Sequence, residues 1–193
     1  MALVPLVSEA DADPADASAL DAGKAAYGQL LNTWRAIANR PGMFPTYLPF
    51  LRTVAGPGAL RQDIKELTAV RTTVLNRCRY TASHRCASAK SQGITDEQLA
   101  AVAAGDYSGF DEALQVALEL SDQLSGIAAV PMSESETGVD AALLERAQAL
   151  FDPAQLVELT MCIAIWNALC RFHRPMGFEL DMPVPPPGVT AHL

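Results

Sequence analysis

The sequence predicts an all-α fold built on a duplicated helical unit, and three observations carry that prediction. Apolar residues recur at helical spacing in segment after segment, with no alternating strand pattern. Ala, Leu and Val supply most of a 50% hydrophobic content, while aromatic residues make up only 6%. That balance favours helix-on-helix packing over a β-sandwich. Finally, Glu66-Leu67-Thr68 recurs as Glu158-Leu159-Thr160, 92 residues on, and the same offset pairs Cys78-Arg79-Tyr80 with Cys170-Arg171-Phe172. Such a repeat means two similar long helices packed about a local pseudo-two-fold axis.

The elements follow in order. Residues 1–17 are rich in Asp, Ala and Pro and read as an extended arm. Over residues 18–39, Leu20, Tyr27, Leu30, Leu31, Trp34 and Ile37 recur with helical period, and Arg40-Pro41-Gly42 stops the run. A short helix over 47–54 ends at Ala55-Gly56-Pro57-Gly58. Residues 61–92 form the most informative stretch, closing at Gly93. Thr95, with Gln98 three residues later, is a helix start of capping-box type. A helix over 110–124 turns Leu114, Ala117, Leu118 and Leu120 inward; another runs through Leu143, Leu144 and Leu150. Asp152-Pro153 then opens the last long helix, with Asp at the N-cap and Pro at N1. The principal domain thus spans 18–182. Residues 183–193 form a Pro-rich tail that should be polyproline-like or disordered.

Composition excludes several classes. A net charge of −8 without a dense Lys/Arg cluster argues against a nucleic-acid partner. Residues 1–7 are apolar but lack a basic flank and run into Glu9, Asp11 and Asp13, which makes a poor signal peptide. No stretch reaches the roughly 20 apolar residues of a membrane span, and residues 159–170 read as a core helix. Four cysteines on predicted helices, without an export signal, point to a cytoplasmic protein rather than a disulfide scaffold.

Chemistry concentrates between Glu66 and Arg85. Glu66 and Cys78 are twelve residues apart, and Cys78-Arg79-Tyr80-Thr81-Ala82-Ser83-His84-Arg85 follows. On a helix Cys78, Thr81 and Arg85 share one face, with His84 beside Thr81. The guanidinium of Arg85 could favour a Cys78 thiolate but cannot shuttle a proton. Twelve residues on one straight helix span ~18 Å. Glu66 can therefore serve Cys78 only if the chain reverses near Asn76 or a neighbouring helix or subunit closes the gap. Cys86 lies about 12 Å along the helix from Cys78, beyond the reach of a local disulfide.

These residues resemble the alkylhydroperoxidase D-like (AhpD-like) / carboxymuconolactone decarboxylase family. The redox branch of that family carries Glu-x11-Cys-x2-Cys-x3-His. Here Glu66 and Cys78 keep the first spacing, and Asn76-Arg77-Cys78-Arg79-Tyr80 and Gly93-Ile94-Thr95-Asp96-Glu97-Gln98-Leu99 match flanking segments. The resemblance extends over about residues 34–180. Thr81 stands at the second cysteine position and Arg85 at the histidine position, with His84 one residue earlier.

The resemblance implies an AhpD-like helical bundle, trimeric or hexameric, and a thiol peroxidase acting on a small molecule, with no cofactor or metal. It assigns Glu66, Cys78 and His84 as catalytic residues, and Thr81, Arg85 and Tyr80 to the substrate. Without a second cysteine at 81, an oxidised Cys78 would pair with Cys86, Cys162, Cys170 or an external thiol. Plainer readings compete: Cys78 as a small core residue, Glu66 as a helix-surface carboxylate paired with Arg61, Lys65 or Arg71, and His84 as a capping or solvent-facing group. Cys170 and His173, at i and i+3, are too few for a structural metal site. Two other functions stay open. One is a cysteine-independent enzyme like the family's decarboxylase branch, using Glu66, His84, Arg85 and Arg71 on a small carboxylic acid. The other is a non-catalytic oligomeric scaffold.

Overall fold

A computed structural model describes residues 2–126, 130–131 and 133–193; Met1, part of the expected arm, lies outside them. Among the described residues every regular element is a helix: α1 (Pro14–Tyr27), α2 (Asn32–Ile37), α3 (Phe44–Ala55), α4 (Gln62–Leu75), α5 (Arg79–Ser91), α6 (Asp96–Ala104), α7 (Glu112–Leu124), α8 (Ala141–Leu150), α9 (Pro153–Met176) and α10 (Pro187–Thr190). The fold class is the one the sequence predicts. Side chains close the N-termini at the expected places. Thr95 accepts from the Gln98 N–H and Asp152 from the Gln155 N–H, and each Gln side chain answers the cap residue's own N–H.

The main core joins α4, α6, α7, α8, the first half of α9 and α10, through residues such as Leu67, Val70, Leu118, Leu159 and Ile163. Each such side chain, once buried, contributes roughly 1.5–3 kcal/mol of transfer free energy. A second cluster gathers Leu20, Leu31, Trp34, Phe44 and Leu48 from α1 to α3. Between the two lies a seam of Val54, Ala69, Cys162, Trp166 and Leu169. The site described below opens along this seam. Helix α9 is long and apolar enough to cross a membrane by length and composition alone, contrary to the reading above. Its Leu159, Ile163, Trp166 and Cys170 are nonetheless buried against other helices, as expected of a core helix.

Three local expectations need correction. The arm is shorter: α1 starts at Pro14, because the Asp13 carboxylate caps the Ala15 N–H. The run over 18–39 is two helices, since Gly28 takes the left-handed conformation (φ 76°) and ends α1. Its second half restarts because Asp181, distant in sequence, accepts from the Asn32 N–H at 2.6 Å. No local signal announces such a cap. The tail is also ordered. Pro187 sits in the first turn of α10, where it is compatible with a helix. Val189 is fully buried, and Gly188 approaches Ala100 so closely that a Cβ at 188 would lie 2.6 Å from its methyl.

Candidate active site

The chain reversal expected ahead of residue 78 is present. Helix α4 ends at Leu75, Asn76 is its C-cap, Arg77 adopts φ 49°, and Cys78 is the extended N-cap of α5. Arg77 is the only non-glycine residue with positive φ among those described. A side chain in the left-handed region costs roughly 1–2 kcal/mol, so the surroundings must hold the turn. They do so through Asn76, whose amide donates to Asn167 Oδ1 at 2.7 Å on α9 and to its own helix at Thr72 O.

Helix α5 then runs back along α4. The reversal therefore carries Glu66 to the far end of α5 and not to the cysteine. Ser88 Oγ donates to Glu66 Oε1 at 3.0 Å, Gln62 Nε2 donates to the same oxygen at 3.1 Å, and Arg85 Nη1 lies 3.5 Å from Glu66 Oε2. None of Arg61, Lys65 and Arg71 takes Glu66; they engage Asp63 and Asp111, Glu158, and Asp122 respectively. Arg85, for its part, stacks over Trp166 at 4.3 Å and faces Glu66, so it is no counter-ion for Cys78.

Cys78 sits instead at the start of a polar row. Its Sγ is 3.0 Å from Thr81 Oγ1, which is 2.8 Å from His173 Nδ1, and His173 Nε2 is 2.9 Å from Thr33 Oγ1. Both ring nitrogens of His173 are thus engaged, which fixes its orientation. Cys170 adjoins the sulfur in a buried cluster with Tyr80, Phe178 and Leu180. A second row runs beside the first. Asp181 receives the Tyr80 hydroxyl at 2.8 Å, pairs with His84 Nε2 at 2.5 Å, and caps α2. The Tyr80 oxygen in turn accepts from the Thr33 N–H at 3.1 Å.

Both rows and the Glu66–Arg85 pair border one cavity of about 370 Å³, whose walls include Trp34, Tyr47 and Trp166. Tyr80, Thr81, His84 and His173 line its floor, and Glu66, Arg85 and Ser88 its other end. Cys78 does not line it. Cys78 is 1% exposed, and its sulfur contacts the cavity-lining Thr81. Of the sequence-predicted residues, Glu66, Tyr80, Thr81, His84 and Arg85 share the cavity, while Cys78 reaches it only through Thr81. At the Glu66 end, Glu66 Oε2, Arg85 Nε and Trp166 Nε1 are buried without a hydrogen-bond partner among the described residues. Unpaired buried polar atoms are uncommon in native proteins, and here they cluster where a small molecule would lie.

The electrostatics separate the four cysteines, all free. Cys78 is drawn below the ordinary thiol value, chiefly by the adjoining Cys170, against the opposing cost of burial and with further help from His173 and Thr81. Cys170 is pushed far up, first by its interaction with Cys78 and then by burial. Burial raises Cys86 to about 12 and Cys162 to about 11, which leaves both as inert thiols at neutral pH. Burial also lowers His173, keeping the imidazole neutral and able to accept a proton. For Asp181 burial works upward, but the His84, Asn32 and Tyr80 hydrogen bonds hold the carboxyl below its usual value.

Sequence reading overlooked Asp181, Thr33 and the role of His173. For His173 a signal existed: carrying the repeat one residue past Phe172 pairs it with Thr81. For Asp181 and Thr33 there was none, because their contacts span 97 and 140 residues.

Comparison with known proteins gives three kinds of finding. Residues 41–123 match the model of the carboxymuconolactone decarboxylase family. No curated protein matches the chain. Among solved structures, an uncharacterized peroxidase-related protein from Ralstonia eutropha JMP134, described as an alkylhydroperoxidase AhpD core, superposes with a TM-score of 0.78 at 15% identity, over 93% of this chain and 92% of the other. A peroxidase-related protein from Silicibacter sp. TM1040 gives 0.72 at 14% identity, over 92% and 91%. A cysteine-to-alanine variant of the debrominase Bmp8, in complex with 2,3,4-tribromopyrrole, gives 0.71 at 17%, over 100% and 97%. At these identities the likeness is one of fold.

Proposed function

We propose that this chain, whose residues 41–123 match the model of the carboxymuconolactone decarboxylase family, is a thiol-dependent peroxidase of AhpD type, reducing a small organic hydroperoxide with Cys78. The observation that carries this reading is the row Cys78–Thr81–His173–Thr33 along the cavity floor. A thiolate is the reactive form of cysteine, and the lowered Cys78, beside an imidazole that burial also lowers, supports that form. Rotation of the Thr81 side chain would open the sulfur to the cavity. Aromatic walls suit an apolar substrate body, and the unpaired groups of Glu66, Arg85 and Trp166 suit a polar head. His84, oriented by Asp181, is the cavity-lining group placed to donate a proton to the departing alkoxide.

The test is consumption of cumene hydroperoxide with a dithiol as reductant. Wild type should turn over, Cys78→Ser should lose activity by at least about 100-fold, and Thr81→Cys should gain it. Equal turnover by wild type and Cys78→Ser would end the reading.

One observation favours a second reading. Thr81, His84 and Arg85 face the cavity directly, whereas the sulfur does not. In that case general acid–base groups would act on a small carboxylic acid or lactone, and Cys78→Ser would keep turnover of such a substrate. Under either reading we propose a homo-oligomer. The exposed stripe Val157, Met161, Ala164 and Ala168 along α9 supports it. Sedimentation of wild type against Ala164→Glu is the check: dissociation is expected, and a monomeric wild type would refute it.

A further inference from the structure

We propose that Cys170 is the resolving thiol of the Cys78 cycle, so that turnover closes a disulfide between the two copies of the internal repeat. The inference rests on the peroxidase reading and takes up the question left by Thr81: what replaces the missing second cysteine.

The geometry narrows the choice to one residue. Cys86 belongs to the main core on the other side of α5, and Cys162 packs in the central seam, where its thiol faces the Lys65 carbonyl at 3.7 Å. Cys170 alone shares a buried cluster with Cys78, walled by Tyr80, Phe178 and Leu180. The repeat explains the meeting. Cys78 and Cys170 occupy equivalent positions, and two helices related by a pseudo-two-fold axis bring equivalent side chains face to face. Three residues on, the same 92-residue offset pairs Thr81 with His173, and the two side chains meet at 2.8 Å.

The chemistry balances without any further group. The Cys78 thiolate attacks the distal oxygen of the hydroperoxide. An S–O bond forms and the O–O bond breaks; sulfur loses two electrons, the peroxide gains them, and the alkoxide leaves as alcohol with a proton from His84. Cys78 is then a neutral sulfenic acid. The charge that held the Cys170 proton in place has gone, so that thiol is released from the largest cause of its raised pKa. His173 takes the Cys170 proton, Cys170 sulfur attacks Cys78 sulfur, and hydroxide leaves as water on recovering that proton. An external dithiol reduces the disulfide.

The experiment treats full-length wild type with one equivalent of cumene hydroperoxide in the presence of dimedone, which traps sulfenic acids. Non-reducing peptide mapping by mass spectrometry follows, and a parallel sample receives diamide, which oxidises neighbouring thiols without a peroxide. The expected product is a peptide pair linked through Cys78 and Cys170, lighter by two hydrogens, in both samples. Cys170→Ala should carry dimedone on Cys78, and its steady-state turnover should fall at least tenfold. Dimedone on wild-type Cys78 with no linked pair would overturn the resolving role while leaving the peroxidase reading intact. A linked pair under diamide alone would mean the reverse: the thiols couple, but the peroxidase reading fails and the resolving role with it. No link under either oxidant would overturn the proposal even if the Cys170→Ala chain did not fold, because the wild-type map decides it.

Discussion

The two copies of the repeat begin alike and end differently. In both, a Glu-Leu-Thr segment leads twelve residues later to a cysteine of the buried cluster with Tyr80. In the second copy α9 runs unbroken from Pro153 to Met176 and passes straight through Cys170. In the first, the helix stops at Leu75, turns through Arg77 and restarts at Cys78. The glutamates diverge accordingly. Glu158 is structural: it pairs with the buried Lys65 at 2.7 Å and accepts from the Ala59 and Leu60 N–H groups. Glu66 keeps one oxygen without a hydrogen bond at the cavity end. The continuous helix gives the cavity Trp166, Leu169 and His173, whereas the broken one gives it Glu66, Tyr80, Thr81, His84 and Arg85. The same glutamate position thus serves as a brace in one copy and as a cavity group in the other.

The largest effect should come from breaking the brace. Lys65→Met removes the ion pair of Glu158, which stays partly exposed and keeps its two backbone N–H donors, so the loss should be about 1–3 kcal/mol. Chemical denaturation should show that drop, against at most about 1 kcal/mol for Glu66→Gln, whose partners are looser. Equal losses would erase the distinction between the copies. The pH dependence has a definite sign. Glu158 is lowered to about 2, mainly by Lys65. Its folded value lies below its unfolded one, so its stabilisation is present above the ordinary glutamate range and disappears as pH falls toward 2. Lys65→Met should flatten that part of the acid-denaturation curve.

The turn itself gives the next effect. Arg77→Gly should stabilise the protein by up to about 1 kcal/mol by removing left-handed strain, and Arg77→Val should destabilise it by about 1–2 kcal/mol. Neither change is expected to move Tm if the chain does not reverse there. Away from the repeats, Val189→Ala should cost about 1–2 kcal/mol for two buried carbons, whereas a disordered tail would feel nothing. The smallest change is a rate profile. Alkylation of Cys78 should reach its plateau at a lower pH than that of a free thiol with pKa about 8.5, because its pKa is lowered. Cys86 and Cys162 should stay unreactive at neutral pH.

The sequence by itself determined the helical class, the capped starts at Thr95 and Asp152, the duplication and the reversal before Cys78. The first three follow from local spacing and capping chemistry; the reversal was expected in order to bring Glu66 to Cys78, and the turn that forms there takes Glu66 to Ser88 and Arg85. It also picked out five of the groups that line the cavity. Only the tertiary structure decided which of them meet. Antiparallel packing of α5 on α4 sends Glu66 to Arg85 and Ser88 and leaves Cys78 to Thr81, His173 and Cys170. Asp181 and Thr33 entered the site because folding brings together residues about a hundred or more positions apart. Helical periodicity reports which face of an element is apolar; it carries no information about which polar group on a distant element will stand opposite.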